Sequence, residues 1–195
     1  MKMNYKINKQ YRLPHYDYST TGYYFVTLCT RNHVCHMGRI EEEKIVMNSI
    51  GKIATEVWEN IPNIYELVGI DEFIVMPNHI HGIVIIRENY LSSDCGKNEE
   101  KTNLINQIPT TEKPKIPRNP MESKKISLGK IIRRYKAKVK FMAGLNGYAQ
   151  FVWQNRYYER VIRNEAELMK IREYIRNYVL KWNKDKNNPD NFPVC

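Results

Sequence analysis

The hydrophobic pattern of the chain begins with a run that is typical of a buried β-strand. Residues 22–30 read GYYFVTLCT, and Tyr24, Val26 and Leu28 alternate with positions such as Phe25 that are also apolar. Aromatic and β-branched residues on both sides of the pleat predict a strand covered on both faces.

A short strand and a helix are predicted next. Residues 44–48 fit a short strand, and Asn48 or Ser49 can cap a helix that continues to about residue 60, where Pro62 would end it. Apolar residues recur at helical spacing within it: Ile50, Ile53, Ala54, Val57 and Trp58.

Two further apolar runs, residues 68–76 and 79–86, are separated only by Pro77 and Asn78. Residues rich in valine and isoleucine on both sides of such a break predict two strands joined by a tight turn.

The second half of the chain changes in character. Residues 89–123 are polar, contain four prolines and show no sustained apolar period, so we expect a flexible insertion there. A helical stripe follows at 127–142, and another runs from about residue 164 or 165 to 182. The polar tail, residues 183–195, is expected to lie on the surface.

This alternation of strands and helices predicts an α+β fold, a ferredoxin-like or RRM-like sandwich with a mainly antiparallel sheet and helices packed on it. The length of 195 residues fits a single domain.

Charge adds an expected partner. The net charge is +10, and residues 124–186 carry 17 Lys and Arg against five Asp and Glu, interleaved with aromatic residues. This combination favours nucleic acid, although two solvated amphipathic helices could show the same pattern. The basic residues expected to contact nucleic acid are Arg133, Arg134, Lys136, Lys138, Lys140 and Arg156.

The sharpest chemical feature is His79-Ile80-His81 on a predicted strand. Side chains at positions i and i+2 leave the same face, so one metal ion could bind both imidazoles. We expect the pair to face the last helix. The alternative is that both histidines simply sit on a half-buried face and bond to backbone carbonyls.

Two other groups of residues are weaker candidates. Cys29, His33, Cys35 and His36 form a local cluster that could hold zinc, but their crowding disfavours tetrahedral geometry. Tyr174 and Tyr178 lie four residues apart on the last predicted helix, where tyrosines usually pack at the rim of a core.

Four ordered blocks of the sequence resemble the HUH single-tyrosine transposases, in the branch close to the REP-associated tyrosine transposases. They are YDYSTTGYYFVTLCTRN, DEFIVMPNHIHGIVII, SLGKIIRRYKAKV and VWQNRYYERVIRNEAEL, followed by REYIRN.

The resemblance implies that His79 and His81 hold a divalent metal, Mg²⁺ or Mn²⁺. It also implies that Tyr174 attacks single-stranded or hairpin DNA to form a 5′-phosphotyrosine. The family usually reads YIxNNP at this helix, whereas this chain reads YIRNYV. Tyr178 therefore stands where an amide ligand is expected, and Asn177 or water would complete the metal site.

Two other functions are compatible with the same residues. One is a nucleic-acid-binding protein derived from this family that has lost its catalytic activity, and the other is a hydrolase in which the metal activates water and Tyr174 is structural. The family includes monomers and dimers, so a homodimer is left open. We expect a cytoplasmic, nucleoid-associated protein, because no run of residues is long and apolar enough for a membrane span.

Overall fold

The computed structural model describes residues 13–88, 126–185 and 187–191. The predicted insertion at 89–123 lies outside the described residues. The strands are β1 (Gly22–Cys29), β2 (Gly38–Glu41), β3 (Lys44–Met47), β4 (Val68–Val75), β5 (His79–Ile86) and β6 (Tyr158–Ile162). The α-helices are α1 (Ser49–Glu59), α2 (Ile61–Ile64), α3 (Leu128–Leu145) and α4 (Glu165–Arg176).

The main sheet has four strands in the order β4-β5-β1-β6, and every neighbouring pair is antiparallel. With α1 between β1 and β4 and α3 between β5 and β6, this is the split βαβ arrangement of ferredoxin-like folds. The predicted α+β class is therefore confirmed. Strands β2 and β3 form a separate hairpin.

One face of the sheet packs against α1 and α3. Val26 and Ile80 are fully buried there together with residues of both helices. Trp58 of α1 lies directly over Gly82 of β5, where an added Cβ would come within 2.4 Å of the indole ring. The absence of a side chain at residue 82 thus lets α1 approach the centre of the sheet closely.

The opposite face packs against α4, which buries Leu168 and Ile175 against Phe25 and Ile83 of the sheet. Because side chains alternate along a strand, β1 and β5 are covered on both faces. Their continuous apolar sequences reflect this double burial.

The first helix ends at Glu59, close to its predicted end before Pro62, and the short helix α2 follows it, since proline is tolerated in the first turn of a new helix. The end of α4, in contrast, differs from the prediction. The helix predicted to reach residue 182 ends at Arg176. The Tyr178 N–H then bonds to the Ile175 carbonyl, three residues back, and the chain continues as a 3₁₀ helix, Val179–Lys184.

No helix in the described ranges is both long enough and apolar enough to cross a bilayer.

Helix α4 is tied to β4 by two ion pairs. Arg172 bonds both carboxylate oxygens of Asp71, at 3.0 and 2.7 Å, and Arg176 bonds Glu72 at 2.9 and 2.5 Å. The first pair is less exposed, with side-chain exposures of 25% and 14% against 59% and 31%. The hydrogen bonds from Arg172 hold the pKa of Asp71 below its usual value.

We expect Asp71→Asn to lower the melting temperature at pH 7 by more than Glu72→Gln, because the Asp71 pair is the less solvated one. Since the folded-state pKa of Asp71 is depressed, its stabilising contribution is present above the unfolded pKa of about 4 and is lost as the pH falls. Thermal unfolding at pH 7 and pH 3 checks this. The difference between wild type and Asp71→Asn should shrink in acid, and a constant or growing difference would contradict it.

Candidate active site

Strand β5 holds His79 and His81 on the face that packs against α4. Both imidazoles are buried, with exposures of 0% and 3%, and their ring centres lie 4.7 Å apart. Ile80 between them points into the opposite core. The expected arrangement of two imidazoles side by side, facing the last helix, is therefore present.

One nitrogen of each imidazole is fixed by a neighbouring side chain. His81 Nδ1 shares a hydrogen bond of 2.8 Å with Thr27 Oγ1, and His79 Nδ1 lies 2.8 Å from Asn78 Oδ1. Hydrogen bonds at Nδ1 orient both rings and reserve Nε2 as the atom that would bind a metal, as is usual for histidine ligands. Both Nε2 atoms are buried.

Asn78 also connects three separate segments of the chain. Its Nδ2 donates to the carbonyls of His33, at 2.7 Å, and Asn187, at 2.6 Å. The side chain is completely buried. Because Nδ2 is the donor to both carbonyls, Oδ1 must face His79, so His79 Nδ1 carries the proton and donates to it.

Tyr174 approaches the histidines from α4. Its ring centre lies 5.4 Å from that of His81, and Lys181 Nζ lies 5.4 Å from the Tyr174 ring centre. The side chain is half-buried and borders an open pocket of about 570 Å³ that His81 and Arg156 also line. Burial raises the pKa of the Tyr174 phenol. A phosphodiester in this pocket could reach both Tyr174 and His81.

Tyr178 lines the same pocket and lies even closer to the histidines, but its side chain is almost completely buried. Its ring centre is 4.3 Å from that of His81 and 5.4 Å from that of His79, and its exposure is 4%. The hydroxyl donates to Asp185 Oδ2 at 2.7 Å. Burial, followed by this hydrogen bond, raises the pKa of Tyr178.

Asp185 is a site residue that the sequence did not reveal. Its Oδ2 lies 3.6 Å from His79 Nε2, and its exposure is 8%. Asn187 and Asn188 are buried as well, so the expectation that the whole polar tail lies on the surface is wrong for these residues. Their polar groups can be buried because they bond to one another, to Trp182 and to Asn78.

The expected third metal ligand, Asn177, occupies a different position. It is exposed at the C-terminal end of α4, where its backbone N–H bonds to the Glu173 carbonyl. The carboxylate beside His79 belongs to Asp185. Within the described ranges, no three His, Cys, Asp or Glu side chains form a group that could hold a metal ion. The cluster of Cys29, His33, Cys35 and His36 is therefore not a metal site in this structure.

The basic residues expected to bind nucleic acid are divided between two regions. Arg156 lines the pocket beside His81, and Lys136 donates to the carbonyls of Gln154 and Asn155 in the same loop. The other four, like Lys136, lie on α3, on the opposite side of the sheet from α4. They are Arg133, Arg134, Lys138 and Lys140, and two of them, Arg134 and Lys138, line a separate groove between α3 and the α1–α2 segment.

Comparison with a solved structure identifies the class of fold. The chain superposes on a REP-associated tyrosine transposase bound to a REP hairpin with a TM-score of 0.53. The match covers 87% of this chain and 73% of that one, at 16% sequence identity. The fold is therefore a tyrosine-transposase fold.

A curated relative identifies the family. An uncharacterized protein of Haemophilus influenzae is 38% identical over 175 residues, which is 90% of this chain and 89% of that protein. The chain belongs to the same family as this H. influenzae protein. No protein-family model matches the chain.

We expect Asn78→Ala to destabilise the protein by about 2–3 kcal/mol, because it leaves buried partners on three segments without their hydrogen bonds. Asn63→Ala is the matched control, since Asn63 is exposed and its side-chain amide donates to the Asn60 side chain. Urea unfolding of both variants measures the difference. Equal stability of the two variants would show that the Asn78 network contributes little.

Proposed function

We propose that the protein is a single-tyrosine DNA transposase. It would cleave and rejoin single-stranded DNA through a 5′-phosphotyrosine, with Mg²⁺ or Mn²⁺ held at His79 and His81. The observation that carries this proposal is the position of Tyr174, which borders one open pocket together with His81 and lies within 5.4 Å of it, ring centre to ring centre.

The histidine pair supplies two of the ligands that the proposed divalent metal needs, although no third His, Cys, Asp or Glu in the described ranges completes a metal-binding group with them. Two buried imidazoles are oriented through Nδ1 by Asn78 and Thr27, and a carboxylate lies 3.6 Å from one of them. Imidazole nitrogens and carboxylate oxygens are both ligands of divalent first-row metals. The bound ion would supply charge neutralisation on the non-bridging oxygens of the scissile phosphate.

The protein's own groups perform the remaining steps. The Tyr174 oxygen attacks phosphorus and forms a new P–O bond, while the bond from phosphorus to the 3′ oxygen breaks. The phenolic proton is released to solvent, and the departing 3′ oxygen takes up a proton to become a hydroxyl. Arg156, which lines the same pocket, would neutralise charge on the phosphate. Rejoining reverses these steps, so the phosphotyrosine conserves the energy of the bond.

The chemistry of the pocket also favours single-stranded DNA as the substrate. Tyr157 and Tyr158 line it beside Arg156, and Tyr158 is 41% exposed. Exposed aromatic rings stack on unpaired bases, and basic residues bind the backbone. In the structural relative named above, the bound nucleic acid is a REP hairpin. A hairpin with a single-stranded flank is therefore the substrate that we propose.

One observation supports a second candidate function, a DNA-binding protein without catalytic activity. Tyr178 stands at the position where the family motif implies an amide ligand, and its hydroxyl is bonded to Asp185. If this substitution prevents metal binding, the pocket would still bind DNA through Arg156 and the aromatic residues.

The deciding experiment incubates the protein with a labelled hairpin oligonucleotide and Mn²⁺ and resolves the products by denaturing electrophoresis. We expect a covalent protein–DNA band. Tyr174→Phe removes only the nucleophilic oxygen, so it should eliminate this band and leave DNA binding within about twofold of wild type. Tyr158→Phe is the matched control, since Tyr158 lines the same pocket but is more exposed, and it should retain the band.

Other outcomes would overturn the proposal in distinct ways. Binding without cleavage by the wild type would support the non-catalytic function. Cleavage without a covalent band would support a metal-dependent hydrolase. A band that persists in Tyr174→Phe would show that another tyrosine is the nucleophile.

A further inference from the structure

The segment between Trp153 and Tyr158 leaves the edge of the main sheet beside the pocket. Trp153 forms an isolated bridge with Thr30. Tyr158 pairs with Thr27. Two residues separate the paired positions on β1, whereas four residues, 154–157, separate them on the other side. The two extra residues do not fit the ladder, so this pocket loop (residues 154–157) bulges out of the sheet, as strands often do next to active sites.

The pocket loop carries side chains that the proposed reaction uses. Gln154, Arg156 and Tyr157 all line the pocket that Tyr174 and His81 share. Arg156 is exposed, and in the proposed function it neutralises charge on the phosphate. Its effect depends on its position, because an electrostatic contact accelerates a reaction only when it is aimed at the place where charge develops.

Lys136 of α3 holds the backbone of this loop. Its Nζ donates to the Gln154 carbonyl and, at 3.3 Å, to the Asn155 carbonyl. These two carbonyls belong to the residues that come directly before Arg156. The Lys136 side chain is half-buried, and burial lowers the pKa of its ammonium group. The loop is therefore bonded to a helix that lies on the opposite side of the sheet from α4.

This contact distinguishes Lys136 from the other basic residues expected to bind nucleic acid on α3. Those residues are all exposed, as side chains that contact DNA phosphates should be: Arg133, Arg134, Lys138 and Lys140. An ammonium group has three N–H donors, and Lys136 donates to two protein carbonyls. Lys136 thus has less capacity than its neighbours to bind a phosphate.

We propose that Lys136 is a positioning residue for Arg156. By binding the carbonyls of Gln154 and Asn155, it fixes the pocket loop and directs Arg156 toward the scissile phosphate. This role replaces the direct nucleic-acid contact that the sequence predicts for Lys136. The inference rests on the proposed function, in which Arg156 acts on that phosphate.

Hydrogen exchange tests whether Lys136 holds the loop, and it does not depend on activity. Lys136→Met removes all three donors but keeps a long side chain, whereas Lys136→Arg keeps a cation that can donate. Mass spectrometry of peptides that contain residues 154–157 should show at least about tenfold faster amide exchange in Lys136→Met. Lys136→Arg should restore most of the protection. Lys52→Met, which changes an exposed lysine of α1, is the control and should exchange like the wild type.

Single-turnover cleavage of the hairpin oligonucleotide, at saturating protein, tests the effect on the reaction. Lys136→Met should slow formation of the covalent product at least about tenfold, because a small displacement of a catalytic contact is costly. Arg156→Gln should slow it as well. In the Arg156→Gln background, Lys136→Met should slow it by less than about twofold more, since both changes remove the same contact. Lys136→Arg should restore most of the wild-type rate.

The salt dependence of DNA binding separates positioning from a direct phosphate contact. Loss of one phosphate contact lowers the slope of log K against log salt concentration by about 1. In the Arg156→Gln background, Lys136→Met should not lower this slope further. Thermal unfolding confirms that each variant is folded. If Lys136→Met does not fold, Lys136→Gln, which lacks the charge and is shorter, takes its place in all three measurements.

The possible failures can be told apart. If the wild type forms no covalent product, the proposed function fails, and the role of Lys136 in the reaction fails with it. If the wild type is active but exchange in Lys136→Met is unchanged, or the rate effects of Lys136→Met and Arg156→Gln multiply in full, only the role of Lys136 is wrong. A further decrease of the salt slope would assign Lys136 to a direct phosphate contact instead.

Discussion

The antiparallel pairing of β5 between β4 and β1 is the constraint on which the rest of the site depends. In a central strand the side chains must alternate between two packed faces, and here one face receives Ile80 and the bare backbone of Gly82 under Trp58. The same alternation forces His79 and His81 onto the other face. A shift of one residue in this register would bury the histidines against α1 and leave isoleucine opposite α4.

The position of α4 then sets the surroundings of Tyr174 and Tyr178. Helix α4 packs its apolar side on Phe25 and Ile83, and the Arg172–Asp71 pair ties it to the edge of the sheet. This placement brings Tyr174 to the rim of the pocket. The chain then tightens into a 3₁₀ helix, which carries Tyr178 beneath the rim and against the histidines. Two tyrosines only four residues apart therefore line one pocket with different exposure: Tyr174 is half-buried and Tyr178 is buried.

Much of this arrangement could be predicted because it depends on local patterns. Runs of apolar residues on both faces of the pleat predicted the strands β1, β4 and β5. The spacing of His79 and His81 predicted that both imidazoles lie on the same face of the sheet. The hairpin strand β2 and the short strand β6 were missed, since neither has a clear apolar alternation. The end of α4 was also missed, because Val179 and Trp182 continue the helical period although the backbone does not.

The role of the tail could not be predicted for a different reason. Asp185 and Asn187 are polar residues in a polar segment, and the sequence gives no sign that they are buried. Their burial depends on Asn78 and Tyr178, which are distant in sequence or lie on another element. Polar networks of this kind connect residues by geometry alone, so a pattern of hydrophobic positions cannot reveal them.

The central claim is that Tyr174 forms the covalent bond to DNA, and peptide mapping of the protein–DNA adduct tests it most directly. Trypsin cleaves after Arg172, Arg176 and Lys181, so Tyr174 and Tyr178 fall in different peptides, residues 173–176 (EYIR) and 177–181 (NYVLK). After nuclease digestion of the bound DNA, mass spectrometry should find the residual 5′-nucleotide on the peptide 173–176. A nucleotide on 177–181 or on 157–160 (YYER), or no modified peptide at all, would contradict the account.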